Sequence, residues 1–207
     1  VHRPKQPYFD PLYNFSEDWR SYANTPGHAF QISTGKYKGR IYIAANHSEG
    51  EPENKFEDYF AHGFYTDDHG KTFHLSETIN LPGGNEATAA EISNNGVLLN
   101  ARNQKGDTRA RIIAKSNDGG QTWNSISFDK NLPDPVCEGT ILNIGIKKGK
   151  YLLAFCNAAD TAQRDNLTLR ISFDEGNSWA KNILLDKSAD GKNDFTAYSD
   201  IVKLNKN

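Results

Sequence analysis

The chain is short of most features that would settle its class at a glance. Two cysteines, Cys137 and Cys156, occur in 207 residues, too few to set the disulfide framework of a small secreted scaffold. A bridge between them is one option; the expectation is two separate small buried thiols. An excess of one charge is also missing. With 24 Lys+Arg against 26 Asp+Glu and a net charge of -2, nothing points to nucleic acid or an anionic membrane surface as partner. No apolar run approaches the ~18 residues of a membrane-spanning helix, and no stretch keeps a helical period. The six histidines, among them His28, His47, His62 and His69, do not pair at metal-ligand spacing, so neither metal nor cofactor is expected. Ser199 has no G-x-S-x-G around it, which excludes the nucleophile elbow of a serine hydrolase. The chain opens on Val1 without an apolar leader. The expectation is a secreted, periplasmic or cell-surface protein whose export signal is not in this chain.

What is present favours β-structure. Aromatics make up 11% and glycines number 17, while a mean hydropathy of -0.73 describes a soluble, loop-rich chain. The clearest pattern is Ser116-Asn117-Asp118-Gly119-Gly120-Gln121-Thr122-Trp123, or S-x-D-x-G-x-T-W. It recurs as Thr66-Asp67-Asp68-His69-Gly70-Lys71-Thr72-Phe73 and as Ser172-Phe173-Asp174-Glu175-Gly176-Asn177-Ser178-Trp179. Each copy follows a run of strand character. An Asp can accept from backbone N–H groups just ahead of it and fix a turn. Gly takes the positive φ, the hydroxyl closes the network, and the aromatic anchors the hairpin. One copy is weak evidence; three with the same internal spacing are strong. The repeat carboxylates Asp68, Asp118 and Asp174 are therefore read as structural.

The rest of the chain falls into cycles around these turns. Residues 1–26, with Pro4, Pro7 and Pro11, read as an arm or connection, and residues 27–207 as the folded part. Phe30–Ser33 and Gly39–Ala45 suggest a hairpin through Gly35. Residues 47–59, with Glu49, Glu51, Glu53, Glu57 and Asp58, read as a solvated acidic loop. Further strands are expected at 87–92, 96–102, 109–115 and 125–128, then at 139–144, 151–155, 167–171 and 180–185. The repeat Asp residues stand 50 and 56 residues apart. Four short strands per period of that order mean propeller blades, and at roughly 45 residues each the length suggests about four of them.

At this level the chain resembles the Asp-box repeats of bacterial sialidases (exo-α-neuraminidases), from about Gly27 to its end. The boxes are 66–73, 116–123 and 172–179. Pro82-Gly83-Gly84-Asn85-Glu86-Ala87-Thr88 and Gly96 to Gln104 resemble the family's segment with a catalytic Glu and a binding Arg. Leu132 to Ile141 resembles its pocket-lining stretch, and Ala197-Tyr198-Ser199-Asp200 the segment with its nucleophilic Tyr. The resemblance implies an all-β, six-bladed propeller, of which this chain supplies about four blades. It also implies an exo-glycosidase that releases terminal sialic acid from glycoconjugates with retention of configuration. Tyr198 would attack the anomeric carbon and Glu86 would take its proton, since a phenol with a pKa near 10 is a poor nucleophile at neutral pH. Sialidases with a Tyr nucleophile are a recognised exception to the two-carboxylate arrangement of glycosidases. Guanidinium groups suit the substrate carboxylate. Arg102 matches one of the family's three, and Arg164 is preferred over Arg170 for another. Arg170 has parity opposite to Leu167, Leu169 and Ile171, which reads as a blade-surface residue. His28 and Asp134 are expected to line the pocket, and Glu91 to play a surface or supporting part.

Two departures matter. The family's Arg-Ile-Pro segment and the segment with its general-acid Asp are not found. The expectation is therefore a portion of a larger enzyme, impaired on its own, whose partners are sialylated glycans and the missing part of its own propeller. The alternative is a non-catalytic Asp-box propeller that binds glycan or protein. Convergence of Glu86, Tyr198 and the two arginines on one hollow would separate the two readings.

Overall fold

A computed structural model describes residues 19–191 and 194–204. Strands dominate, as the all-β reading expects, and they form three antiparallel sheets. The first holds β1 (Ser21–Asn24), β2 (Phe30–Gln31), β3 (Ile41–Ser48), β4 (Tyr59–Thr66) and β5 (His74–Leu75). The second is a meander of β6 (Gly84–Ile92), β7 (Gly96–Asn103), β8 (Ala110–Ser116) and β9 (Ser125–Pro133). The third repeats that order with β10 (Gly139–Lys147), β11 (Lys150–Ala158), β12 (Leu167–Ser172) and β13 (Lys181–Asp186). The described residues thus make three blades where length alone suggested about four. The repeat period exceeds the round figure behind that count, and the chain ends contribute no complete sheet among the described residues.

The middle sheet is packed on both faces, and β6 lies against both β3 and β10. Between the first two sheets sits a core of Ile32, Tyr42, Ala61, Ile79, Ala87, Leu99 and Ile112. Between the second and third lie Leu98, Ile113, Leu132, Ile141, Leu153 and Phe155, closed by Trp179. Each such large side chain removed from water contributes roughly 1.5–3 kcal/mol. The strand β7 is buried along its whole length, with Val97, Leu99 and Ala101 in the first core and Leu98 in the second.

The three repeat turns join the last two strands of each sheet and share one network. The first-position hydroxyl, on Thr66, Ser116 or Ser172, accepts from the backbone N–H of the Asp and of the Gly two further on. The Asp then accepts from the N–H and hydroxyl of Thr72, Thr122 or Ser178 at 2.6–3.0 Å. The turn needs two successive left-handed residues. His69, Gly119 and Glu175 take the first place and Gly70, Gly120 and Gly176 the second, so only the second is kept as Gly in all three copies. The turns also tie blades together. Arg40 grips Asp67 with two 2.8 Å bonds and donates to Gly119 O at 3.0 Å. Glu175 accepts from Ser93 N and Tyr151 N, both at 3.1 Å.

Several expectations need correction. The strand β1 lies inside the stretch read as an arm and pairs with β3; residues 1–18 lie outside the described residues. His47 is on β3, fully buried, and not in the acidic loop. Asp58, from that loop, is buried against Arg20. Arg170 is buried too, donating to Asn157 Oδ1 at 2.9 Å. The parity was right and the inference from it was not. Leu167, Leu169 and Ile171 point to the far side of the third sheet, where Ile183 is exposed. Arg170 shares the other face with Phe155, its cross-strand partner, towards the second sheet. Apolar residues stand on both faces of this sheet, so alternation alone cannot say which face is covered.

Candidate active site

Local irregularities bring the site together. Opposite Ile43 and Ala44 of β3, the chain between β1 and β2 carries five residues, Thr25 to Ala29. This excess turns Gly27 and His28 out of the sheet. Gly27 has φ +98, and a side chain there would meet Thr88 at 2.7 Å. On β6 the register slips between Gly84 and Ala87, so that Asn85 and Glu86 both stand opposite Arg102. Such a bulge re-aims a side chain, and here it sets Glu86 beside Arg102.

The outcome is a three-membered cluster. The Tyr198 hydroxyl donates to Glu86 Oε1. Arg102 Nη1 donates to Glu86 Oε2 at 2.6 Å and to the Tyr198 hydroxyl at 3.2 Å. The guanidinium of Arg164 stands 6.0 Å from the Tyr198 ring centroid, within cation–π reach. Glu86 and Arg102 are largely buried, whereas Tyr198 is 48% exposed. Burial pushes the Tyr198 phenol up to about 12; its bond to Glu86 and that group's charge act the same way, and Arg102 opposes them. The phenol is thus a proton donor at neutral pH with its acceptor already in contact.

Tyr198 lies on a segment, residues 194–204, that joins no sheet among the described residues. Contacts to other elements hold it. Phe195 N and Thr196 N donate to Arg164 O at 2.8 and 2.9 Å, and Arg164 N donates to Asp194 Oδ1 at 2.8 Å. His28 Nδ1 contacts Asp200 Oδ1 at 2.8 Å, two residues past the tyrosine. His28 therefore reaches the cluster's edge through Asp200.

Asp134 is placed differently. It is buried beneath the cluster, accepting from Asn103 N at 2.8 Å, Cys137 N at 3.0 Å and Arg111 Nη1 at 3.3 Å. Its contacts support the turn Asp134-Pro135-Val136-Cys137. Within that turn Val136 has φ +62, a real outlier for a β-branched residue. Arg164 Nη2 donates to Val136 O at 3.2 Å and Arg111 Nη1 to Cys137 O at 2.5 Å. Strain held this way clusters at functional sites. Cys137 and Cys156 are both free and buried.

Sequence reasoning gave no role to Arg111, Glu138 or Val136. Arg111 is fully buried on β8 and also donates to Asn100 at 2.7 Å. Glu138, buried, accepts from Ser199 N and meets Thr140 Oγ1, both at 3.0 Å. The quoted stretch from Leu132 to Ile141 contains two of the three, but little local marks them, because Val136 meets Arg164 and Glu138 meets Ser199 from far along the chain. Glu91 is likewise a buried joint: it accepts from Ser33, Thr34 and Tyr151 at 2.7–3.1 Å.

Comparison with known proteins agrees with this architecture. Residues 8–206 match the family described as BNR repeat-like domain. The chain belongs to that family. Among curated relatives, a sialidase of Micromonospora viridifaciens is 32% identical over 170 residues, covering 78% of this chain and 25% of that protein. A sialidase of Bacteroides fragilis is 38% identical over 108 residues, covering 49% and 20%. In fold, the chain is similar to the Hadza microbial sialidase Hz136, with TM-score 0.72 and 24% identity over 87% of this chain and 34% of that one. It is also similar to the intramolecular trans-sialidase from Ruminococcus gnavus, with TM-score 0.62 and 21% identity over 76% and 31%. The three sheets are thus blades of a sialidase-type propeller. The chain spans about a quarter of the length of the curated relatives it matches.

Proposed function

We propose that this chain carries the nucleophile, its base and two carboxylate-binding arginines of an exo-sialidase acting with retention. The observation that supports the reading is the contact of the Tyr198 hydroxyl with Glu86, bridged by Arg102. In the first step Tyr198 Oη bonds to the anomeric carbon, the glycosidic C–O bond breaks, and the phenol proton passes to Glu86. The leaving oxygen takes its proton from a general acid outside this set. Water then attacks the anomeric carbon of the glycosyl–tyrosine and gives a proton to the conjugate base of that acid; the C–O bond to Tyr198 breaks, and Glu86 returns the proton to Tyr198 Oη. A phenol raised to about 12 is almost wholly neutral at pH 7, so removal of its proton during attack is essential. Its neutrality also suits a substrate that bears a carboxylate. Arg102 and Arg164 would hold that carboxylate, with His28 at the rim and Asp134 as the support beneath. The substrates are sialylated glycans, and the matched span makes the activity one of the protein carrying this chain. Alone, the chain is expected to turn over a fluorogenic sialoside poorly.

The test is covalent trapping. A fluorinated sialosyl donor that forms the intermediate faster than it is released should add one sialyl mass to the peptide containing Tyr198. Labelling elsewhere would overturn the mechanism. Saturable sialoside binding without label or turnover would favour a glycan-binding module.

A further inference from the structure

Tyr198 sits on a segment with no sheet partner among the described residues, yet the next residue is pinned at every polar group. Ser199 N donates to Glu138 Oε2 at 3.0 Å. Ser199 Oγ donates to Cys156 O at 3.0 Å. Ser199 O accepts from Thr140 Oγ1. Thr140 Oγ1 also lies 3.0 Å from Glu138 Oε1. The four groups close a ring: Glu138, the Ser199 peptide N–H, the Ser199 carbonyl and Thr140.

Counting protons around this ring assigns its state. A threonine hydroxyl has one proton, and a carbonyl oxygen can only accept. If Thr140 gives its proton to Ser199 O, its oxygen is left as an acceptor facing Glu138. The last contact is then a hydrogen bond only if the Glu138 carboxyl brings a proton of its own. We propose that Glu138 is a protonated positioning residue that, with Thr140, locks the Ser199 peptide and so holds Tyr198 against Glu86. The inference deepens the reading of the same site given above and rests on it for its catalytic consequence.

The surroundings fit a neutral acid. Glu138 is buried at the start of β10, and burial is the main influence raising its carboxyl above the usual range. Against burial, the Ser199 N–H, the Arg111 charge from β8 and the Thr140 contact lower it, and the Glu86 charge from β6 raises it; Cys156 of β11 also lies within its field. A buried carboxylic acid kept neutral as a hydrogen-bond donor is known chemistry. Ionised, Glu138 would compete for the Thr140 proton and release Ser199 O, and it would place a second negative charge near Glu86.

Substitution separates this role from a charged one. In Glu138→Gln the amide N–H can replace the acid proton and the amide oxygen can still accept from Ser199 N. The ring survives, and kcat on a fluorogenic sialoside should stay within about threefold of the parent. Glu138→Ala opens the ring and should lower kcat about a hundredfold with KM little changed, since misplacement by an ångström has that order of effect. Two readouts need no activity. Amide hydrogen exchange in the 197–201 peptide should speed up in Glu138→Ala and not in Glu138→Gln. Second, a raised folded-state value means that stability falls as pH rises from 4.5, the ordinary carboxyl value, through the raised one. The melting temperature of Glu138→Gln should therefore gain on the parent over that rise. If Glu138→Ala does not fold, Thr140→Val supplies the open ring. Glu138→Gln as impaired as Glu138→Ala, or an unchanged melting difference across pH, would overturn the proposal. If exchange and melting behave as described while the protein carrying this chain neither cleaves a sialoside nor takes the covalent label at Tyr198, the lock stands and the hydrolase reading falls.

Discussion

The repeat turns and the Tyr198 cluster use the same chemistry to different ends. Both set carboxylates among hydrogen-bond donors. In a repeat turn every partner lies within four residues of the Asp, as between Asp118 and Thr122. In the cluster, Tyr198 and Glu86 are 112 residues apart and Arg102 joins them from a third element. Burial pushes the carboxyls of Asp118 and Asp174 up, yet local donors outweigh it and hold both below the usual range. At Asp68 the same direction is led by the backbone N–H of Thr72. Tyr198 is shifted upwards, because burial and a neighbouring carboxylate disfavour its charge. Local networks stabilise the charged form of a group; the assembled cluster favours the protonated form of its phenol. The lesson is that a turn can be saturated and inert, while a site must leave one group unsatisfied by what lies next to it in the chain.

Four tests, made with five substitutions, bear on that contrast. The largest effect is expected at the cluster. Glu86→Gln should lower kcat by roughly 10²–10⁴, the usual value of a positioned base, and Tyr198→Phe by at least as much, both without change in melting temperature. Equal losses from Asp118→Ala would erase the distinction. Arg102→Lys comes next. It keeps charge but loses the planar fork, so kcat/KM should drop roughly ten- to a hundredfold, corresponding to about 1.5–3 kcal/mol for charge-assisted bonds. Third, Asp118→Ala removes the acceptor for the N–H groups of Gln121 and Thr122. Thermal or urea unfolding should show a loss of about 1–3 kcal/mol, with residual sialoside turnover per folded molecule unchanged. Its depressed carboxyl adds a sign: the stability it contributes is present above the ordinary value of 3.8 and lost as pH falls through the lower folded one. The smallest effect concerns His47 and His62, which lie 3.0 Å apart under Trp19 on the outer side of the first sheet. Burial lowers His47 to about 4 and His62 well below its ordinary value. The unfolded chain therefore binds more protons as pH falls from 6.5 towards 4, and stability should decline over that window. Replacing His62 by Gln should flatten the decline of melting temperature; an unchanged slope would show that the pair is not its source.

Much of the fold was legible from residues alone, and the reason is visible in these contrasts. Each repeat turn closes on itself, so Asp118 and its partners could be read from eight consecutive residues. Strand positions followed from alternation and turn chemistry, with errors mainly at the ends. Alternation failed where the outcome depended on packing. Arg170 was put outside because its neighbours Leu167 and Leu169 were taken as the inner face, and His47 was put in a loop because it adjoins an acidic run. The site residues Glu86, Arg102, Arg164 and Tyr198 were named through resemblance of short motifs, and nothing in their own spacing joined them. The bulge that turns Glu86 towards Arg102 and the left-handed Val136 were not legible, since neither carries a glycine at the irregular position.

The amino-acid sequence by itself determined the three turns, the strands between them and the count of carboxylates and guanidiniums available. Those features depend on hydrogen bonds and periodicities that span a few residues. Tertiary structure alone decided which face of each blade became interior, that Glu138 and Thr140 meet the Ser199 peptide, and that a tyrosine, a glutamate and an arginine share one cluster. Those outcomes require segments far apart in the chain to be brought within 3 Å or so by the packing of whole sheets, and no local stretch holds the information about its neighbour across the interface.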